Sequence, residues 1–199
     1  MADHDKGNLI TSGSKAICFA KRSLEIFDRL GCGQRMVDKG VSWNVGKVFL
    51  QESPLYSFDL QPEAGHERPA FINLQQYYVE DYLVQRAAEL PYIELRWLNK
   101  VTCIHQSDSD TTVSVEATHE DGDSYFLKSS YVIACDGSRS TVRKIMGLET
   151  NGRLFQDRFL IADVKMKAEF PTERWFWFDP PFHPDQILAF KMRTIWAGS

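Results

Sequence analysis

Apolar residues recur at steps of three and four in two stretches of the chain. Ile17, Ala20, Leu24, Phe27 and Leu30 make the first, a spacing that predicts an amphipathic helix over residues 18–30 closed by Gly31. Val79, Tyr82, Leu83, Ala87 and Leu90 make the second. They predict a helix over 73–90, with Asn73 as cap, Arg86 laying its stem over the apolar face and Pro91 as the stop. Between the two helices, residues 41–50 and 55–60 read as strands of a hairpin or meander around Glu52-Ser53-Pro54. Residues 1–14 are polar and carry Gly and Ser, the composition of a poorly ordered end, and 61–69 form a polar loop bearing Gly and Pro.

From residue 93 the period changes to two. Residues 93–98, 101–106, 112–117 and 125–127 are short runs of β-formers, with Asp121-Gly122 as a tight-hairpin signal between the last two. They lead into the apolar run Tyr131-Val-Ile-Ala134, which reads as a strand buried on both faces. The run stops at Asp136-Gly137. Gly137 permits a tight turn that a side chain would hinder, and Asp136 can accept hydrogen bonds from a hydroxylated ligand. Ser138, Ser140 or Thr141 can then cap a helix that runs through Val142, Ile145 and Met146 to a stop at Gly147. Strand, acidic turn and helix N-terminus together make the arrangement at which open α/β sheets bind nucleotides and phosphates. Further on, 158–166 alternates as a strand does. Trp175-Phe-Trp-Phe is either an aromatic wall for a planar substrate or a half-buried strand ended by Pro180-Pro181. His183 falls in a loop, with nothing to pair it with a nucleophile.

Composition narrows the function classes more than it defines one. The 199 residues are 43% hydrophobic and 25% charged, the values of a soluble globular protein with room for one sizeable core, or for a domain and part of another. A net charge of −4 gives no broad attraction to nucleic acid or to an anionic membrane. No apolar run reaches the ~20 residues that span a bilayer, and the first residues lack the apolar stretch of a signal peptide. Cys18, Cys32, Cys103 and Cys135 stand far apart without a Cys-x-x-Cys, the pattern of reduced thiols in a cytoplasmic protein with no metal set. Gly7 to Lys15 has the wrong glycine spacing for a phosphate-binding loop and Ala16 where a Ser or Thr would hold magnesium. There is no Gly-x-Ser-x-Gly elbow and no His-x-x-x-His. Glu80 and Asp81, adjacent on a helix, point apart and read as solvated.

Residues 130–147 are where a family resemblance becomes specific. Asp136, Gly137, Ser140, Val142, Arg143 and Gly147 resemble the Asp-Gly fingerprint of the FAD-dependent aromatic hydroxylases, single-component flavoprotein monooxygenases of the para-hydroxybenzoate hydroxylase fold. The text Gly13-Ser-Lys-Ala-Ile with the helix that follows resembles members that act on hydroxyphenylpropionate and chlorophenol. There an arginine that reaches FAD aligns with Lys15, which keeps the charge and loses the bidentate fork. Gln76 and Leu83 match a Gln near a helix start with a Leu seven residues on, and the resemblance implies that Gln76 bonds the flavin side of FAD. It also implies Asp136 and Gly137 at the FAD ribose–pyrophosphate region, Arg143 beside them, and Val101 passing the adenine by a backbone contact.

The resemblance implies an α/β fold. A partial, Rossmann-like FAD-binding domain would be interleaved with β-sheet segments of a substrate domain: FAD-domain text at 1–40 and 73–157, substrate-domain strands at 41–72 and 158–199. The implied activity is hydroxylation of a small phenolic or aromatic substrate. NAD(P)H would serve as co-substrate and molecular oxygen as oxidant, by way of a flavin C4a-hydroperoxide, with no catalytic acid or base singled out. It leaves room for a homodimer of the full-length protein. The strand–Gly-x-Gly-x-x-Gly–helix unit and the later Gly-Asp motif of such enzymes are not in this text: Gly31-Cys32-Gly33 follows a helix and lacks the third glycine. The expectation is therefore a fragment, inactive by itself. The alternatives are a non-catalytic remnant or binding module that needs a partner chain and, among enzymes, a flavin-dependent halogenase, epoxidase or reductase.

Overall fold

A computed structural model describes residues 16–106, 113–119, 122–153, 171–182 and 187–191. In chain order the elements are β1 (Cys18–Ala20), α1 (Lys21–Arg29), α2 (Gly33–Lys39), β2 (Val41–Trp43), β3 (Val45–Leu50), β4 (Ser53–Asp59), β5 (Phe71–Asn73) and α3 (Gln76–Ala88). They continue with β6 (Asn99–Gln106), β7 (Val113–His119), β8 (Ser124–Ser129), α4 (Thr141–Ile145), β9 (Arg174–Phe178) and β10 (Ile187–Lys191). The chain divides into two units. One holds the described residues from 16 to 95 and from 171 onward, the other those from 96 to 153.

In the first unit Cys18–Ala20, expected as the start of the first helix, form β1 instead, and α1 begins at Lys21; Leu24 of α1 and Val79 of α3 turn inward as their spacing dictates, while Leu30 stays exposed. Leu24 of α1, Cys32, Met36 of α2, Ile72 and Leu74 around β5, and Val79 of α3 form the buried core, edged by Phe19, Phe27, Tyr82 and Leu83. Helix α1 ends where expected. Gly31 takes φ +84°, its N–H bonds Asp28 O at 2.8 Å and the Cys32 N–H bonds Phe27 O at 3.0 Å, the double closure of a left-handed glycine cap. Gly33 is needed for closeness. A Cβ there would lie 2.1 Å from Asp28 Oδ1 and 2.7 Å from the Asp28 backbone nitrogen, so only glycine lets α2 begin against the end of α1. Across this junction the Arg68 guanidinium clasps Asp28 at 2.5 and 2.6 Å and donates to Gln34 Oε1 at 2.8 Å.

Among the described residues, two sheets belong to this unit. Strand β5 lies between β1 and β2, antiparallel to both. The other sheet has the order β10-β9-β3-β4, with β3 and β9 parallel and the outer pairs antiparallel. The β3–β4 hairpin is the expected one, turning at Gln51 and Glu52 with Gln51 at φ 51°. The sequence reading merges β2 and β3 into one strand. The chain breaks them at Asn44 and sends them to different sheets. The sequence pattern also starts the second helix at Asn73, whereas Asn73 pairs on both sides within β5 and its Oδ1 accepts from Trp43 Nε1 at 3.1 Å. A central-strand ladder outweighs a cap, and α3 starts at Gln76 behind Gln75.

The second unit carries the antiparallel meander β6-β7-β8, close to the three runs expected, with α4 packed against β6. Two expected strands are corrected here. Residues 93–98, which straddle the boundary, and 131–134 form no strand among the described residues. Tyr131 and Ile133 are each 85% exposed, the opposite of a strand buried on both faces. A strand exists only when a neighbour completes its hydrogen-bond ladder, and no described segment pairs with either run. The expected strand at 158–166 lies outside the described residues, as do Lys15 and His183. No helix among the described residues is long and apolar enough to cross a membrane.

Candidate functional site

The turn that the sequence singles out is built from its own side chains. Gly137 adopts φ +77° with nothing within 4 Å of where a Cβ would stand, so its need for glycine is conformational and its outer face is open. Asp136 folds back over the turn. Its Oδ1 accepts from Ser140 Oγ at 2.5 Å and its Oδ2 from the Val142 N–H at 3.0 Å. Buried Ser140 in turn accepts from the Arg143 N–H at 3.0 Å, the side-chain cap of α4. Arg143 reaches round to donate from Nη2 to Ser138 O at 2.7 Å. Gly147, at φ +65°, ends α4 with the same double closure seen at Gly31: Gly147 N–H to Lys144 O and Leu148 N–H to Arg143 O, both 3.0 Å.

The Ser140 hydroxyl first, then the Val142 amide, hold the Asp136 carboxyl below its ordinary range. Asp136 is exposed, and a carboxylate offers about four lone-pair positions. It can therefore cap the turn and still accept from a ligand hydroxyl. Capping and ligand binding by Asp136 are compatible in the fold.

Val101 lies in the same unit, on β6 opposite Ala117, where the ladder shifts register before Cys103. Gln76 belongs to the other unit and is engaged at both ends. Its Oε1 accepts from the Ala16 N–H at 3.0 Å, its Nε2 donates to Glu80 Oε1 at 2.6 Å, and its own N–H bonds Ala16 O at 3.2 Å. Gln76 thus fixes the backbone next to Lys15. Buried Gln75 precedes it with no side-chain cap bond.

The aromatic run at 174–178 is a half-buried strand, β9. Trp177 stacks on Phe49 at 4.7 Å and stands edge-on to Trp175 at 5.5 Å. Lys47 Nζ pairs with Glu173 at 2.8 Å and lies 5.9 Å over the Trp175 ring. A shallow groove of about 550 Å³ opens here, lined by Lys47, Phe49, Leu55, Tyr56, Ser57 and Trp175. The sequence reading also missed a group on the meander. Cys103, His105 and Glu116 bring one ligand-type atom each to within 4.8 Å of one another. Alternation on β6 marks Cys103 and His105, but only the register with β7 sets Glu116 opposite Cys103.

A glycine turn at positive φ, with an ionised carboxylate over it and a capped helix behind it, is of the kind that proteins use for nucleotide cofactors. Comparison with known proteins makes the class specific: the chain belongs to the FAD binding domain family, which it matches over residues 4–193. It is similar to the probable NADH-specific resorcinol 4-hydroxylase of Rhodococcus jostii, at 29% identity over 79% of this chain and 30% of that protein. It is also similar to the 12-dehydrotetracycline 5-monooxygenase/anhydrotetracycline 6-monooxygenase of Streptomyces rimosus, at 32% identity over 93% of this chain and 35% of that protein. Among solved structures, the p-nitrophenol 4-monooxygenase of Pseudomonas putida DLL-E4 superposes with a TM-score of 0.61 and 25% identity, covering 72% of this chain and 36% of that one. The expected α/β fold and the expected family both hold. The chain spans about a third of the length of the curated relatives it matches.

Proposed function

We propose that this chain supplies part of the FAD site and part of the substrate-binding sheet of a monooxygenase that hydroxylates a phenolic or aromatic ring, with NAD(P)H as reductant and molecular oxygen as oxidant. The observation that carries it is the Asp136 turn, within a chain that matches the FAD binding domain family over 190 of its residues (4–193). The turn fits the cofactor on its own geometry. An exposed carboxylate held in its ionised form suits a ribose hydroxyl donor, and the side-chain-free surface of Gly137 lets a bulky ligand approach the backbone.

In this reading Asp136 and Gly137 hold the ribose–pyrophosphate region, with Arg143 beside them and Val101 backing the adenine. Gln76, bonded to Ala16 beside Lys15 in the sequence, serves the flavin side, and Lys15 is a further contact to FAD. The domain plan follows the same division: 1–40 and 73–157 serve the FAD domain, 41–72 and 158–199 the substrate domain. The groove over β3, β4 and β9 offers Trp175 and Phe49 to a planar ring, with Lys47 to orient a ring oxygen. Bound FAD supplies the redox chemistry, a C4a-type oxygen transfer, while the chain's own groups bind, orient and exclude water.

The test uses the polypeptide of the full reading frame that carries this segment. It should purify with flavin and oxidise NADH or NADPH faster when a phenol is added, and label from isotopic molecular oxygen should appear in the hydroxylated product. Flavin reduction without oxygen incorporation would remove the monooxygenase reading and leave a reductase.

A further inference from the structure

The second unit carries a second set of chemical groups, apart from the Asp136 turn. Strand β6 places Cys103 and His105 two residues apart, hence on one face of the meander. Strand β7 sets Glu116 directly opposite Cys103. The Cys103 Sγ, an imidazole nitrogen of His105 and a Glu116 carboxylate oxygen all lie within 4.8 Å of one another. We propose that these three side chains form a site for a borderline divalent cation of the zinc class, with water completing the coordination.

The donor set selects the ion. One thiolate, one imidazole and one carboxylate are the three ligand types that zinc accepts together, and three protein ligands with an open fourth position are a familiar tetrahedral arrangement. Magnesium and calcium, which take oxygen ligands throughout, are disfavoured by the sulfur and the nitrogen. Metal–ligand distances of about 2.0–2.3 Å at tetrahedral angles require ligand atoms roughly 3.3–3.7 Å apart. The trio therefore closes with side-chain movements of about 1 Å, which χ rotations supply without moving the strands. Among the described residues no hydrogen bond or ion pair engages any of the three ligand groups. Cys103 and Glu116 are half-buried and His105 is exposed, which gives an entry path. Around them, Thr102 Oγ1 donates to Glu116 O at 3.3 Å and Phe126 lies 6.5 Å from the His105 ring, so one flank is fixed and one is apolar. A bound ion would tie β6 to β7 beside Val101, where the ladder shifts register.

The probe is Co2+ alone, followed by its displacement with Zn2+, on the reduced chain. Expected is one equivalent of Co2+ with a thiolate-to-cobalt charge-transfer band, abolished in Cys103→Ser and unchanged in Cys135→Ser. Affinity should fall at least tenfold in His105→Ala and in Glu116→Gln. An unchanged band in Cys103→Ser would overturn the proposal, as would substoichiometric Co2+ binding by the unaltered chain. X-ray absorption of the unaltered chain with zinc needs no variant to fold: one sulfur and lighter N/O ligands are expected, and a shell without sulfur overturns the assignment.

Discussion

Replacing Arg68 by Met tests how the first unit is held together. Arg68 is only 9% exposed and lies in a polar stretch without secondary structure. Its guanidinium makes two parallel bonds to Asp28 and a third to Gln34, which joins α1, α2 and the chain entering β5. The hydrogen bonds that Arg68 donates to Asp28 raise the pKa of the guanidinium, which stays charged. Removing one partner of a fully buried pair costs about 3–5 kcal/mol, because the other charge is left without compensation. The Asp28 side chain is 24% exposed, so water recovers part of that loss, and Arg68→Met should cost about 2–3 kcal/mol. At about 2–4 °C per kcal/mol for a chain of this size, thermal unfolding followed by circular dichroism should shift down by about 4–12 °C. Asp28→Asn should cost less, and the double variant should show a coupling of about 1 kcal/mol or more. A shift below about 2 °C would place the pair among ordinary surface ion pairs and refute the reasoning.

Three further outcomes follow from the same geometry. Gly33→Ala drives a Cβ into Asp28 and its backbone, so it should destabilise by about 1–3 kcal/mol and lose most of the Arg68–Asp28 coupling, read by the same melts. Ser140→Ala removes the largest cause of the lowered Asp136 pKa. Carboxyl NMR titration should show Asp136 titrating below the ordinary aspartate range in the unaltered chain and moving up in the variant. Because the folded value is the depressed one, the turn's stabilisation is fully present above the ordinary carboxylate range and is lost as pH falls through the folded value. If the groove serves the proposed hydroxylation, Trp175→Ala in the full reading frame's product should raise KM for a phenol with a smaller change in kcat, and an unchanged KM would remove the groove from that role.

Local chemistry was legible in the sequence where the signal is local. The glycine stops at Gly31 and Gly147, a hydroxyl cap drawn from Ser138, Ser140 or Thr141, the β3–β4 hairpin and the three-stranded meander all follow from residues within a few positions of one another. What depends on distant partners was not legible. Arg68 looks like loop charge until the fold brings Asp28, 40 residues earlier, against it. Asn73 looks like a cap until strands on both sides claim it. The apolar run at 131–134 looks buried, because the pattern of side chains cannot say whether neighbouring strands are present. At the site, the sequence picked out Asp136, Gly137 and Arg143, which the fold joins into one turn. Glu116 could not be matched with Cys103 and His105 without the register of β6 and β7.

The proposed function requires Asp136 to be a cofactor contact as well as a cap. Asp136→Asn separates the two roles, since an amide can still accept from the Val142 N–H and donate to Ser140 Oγ while losing the charge. The decisive measurement is the flavin-to-protein ratio after purification of the full reading frame's product, compared with Glu63→Ala at an exposed position of the polar loop before β5. Expected is at least a tenfold weaker hold on FAD in Asp136→Asn, with unchanged circular dichroism and with Glu63→Ala like the unaltered protein. Equal flavin content in both variants would show that Asp136 only caps its turn.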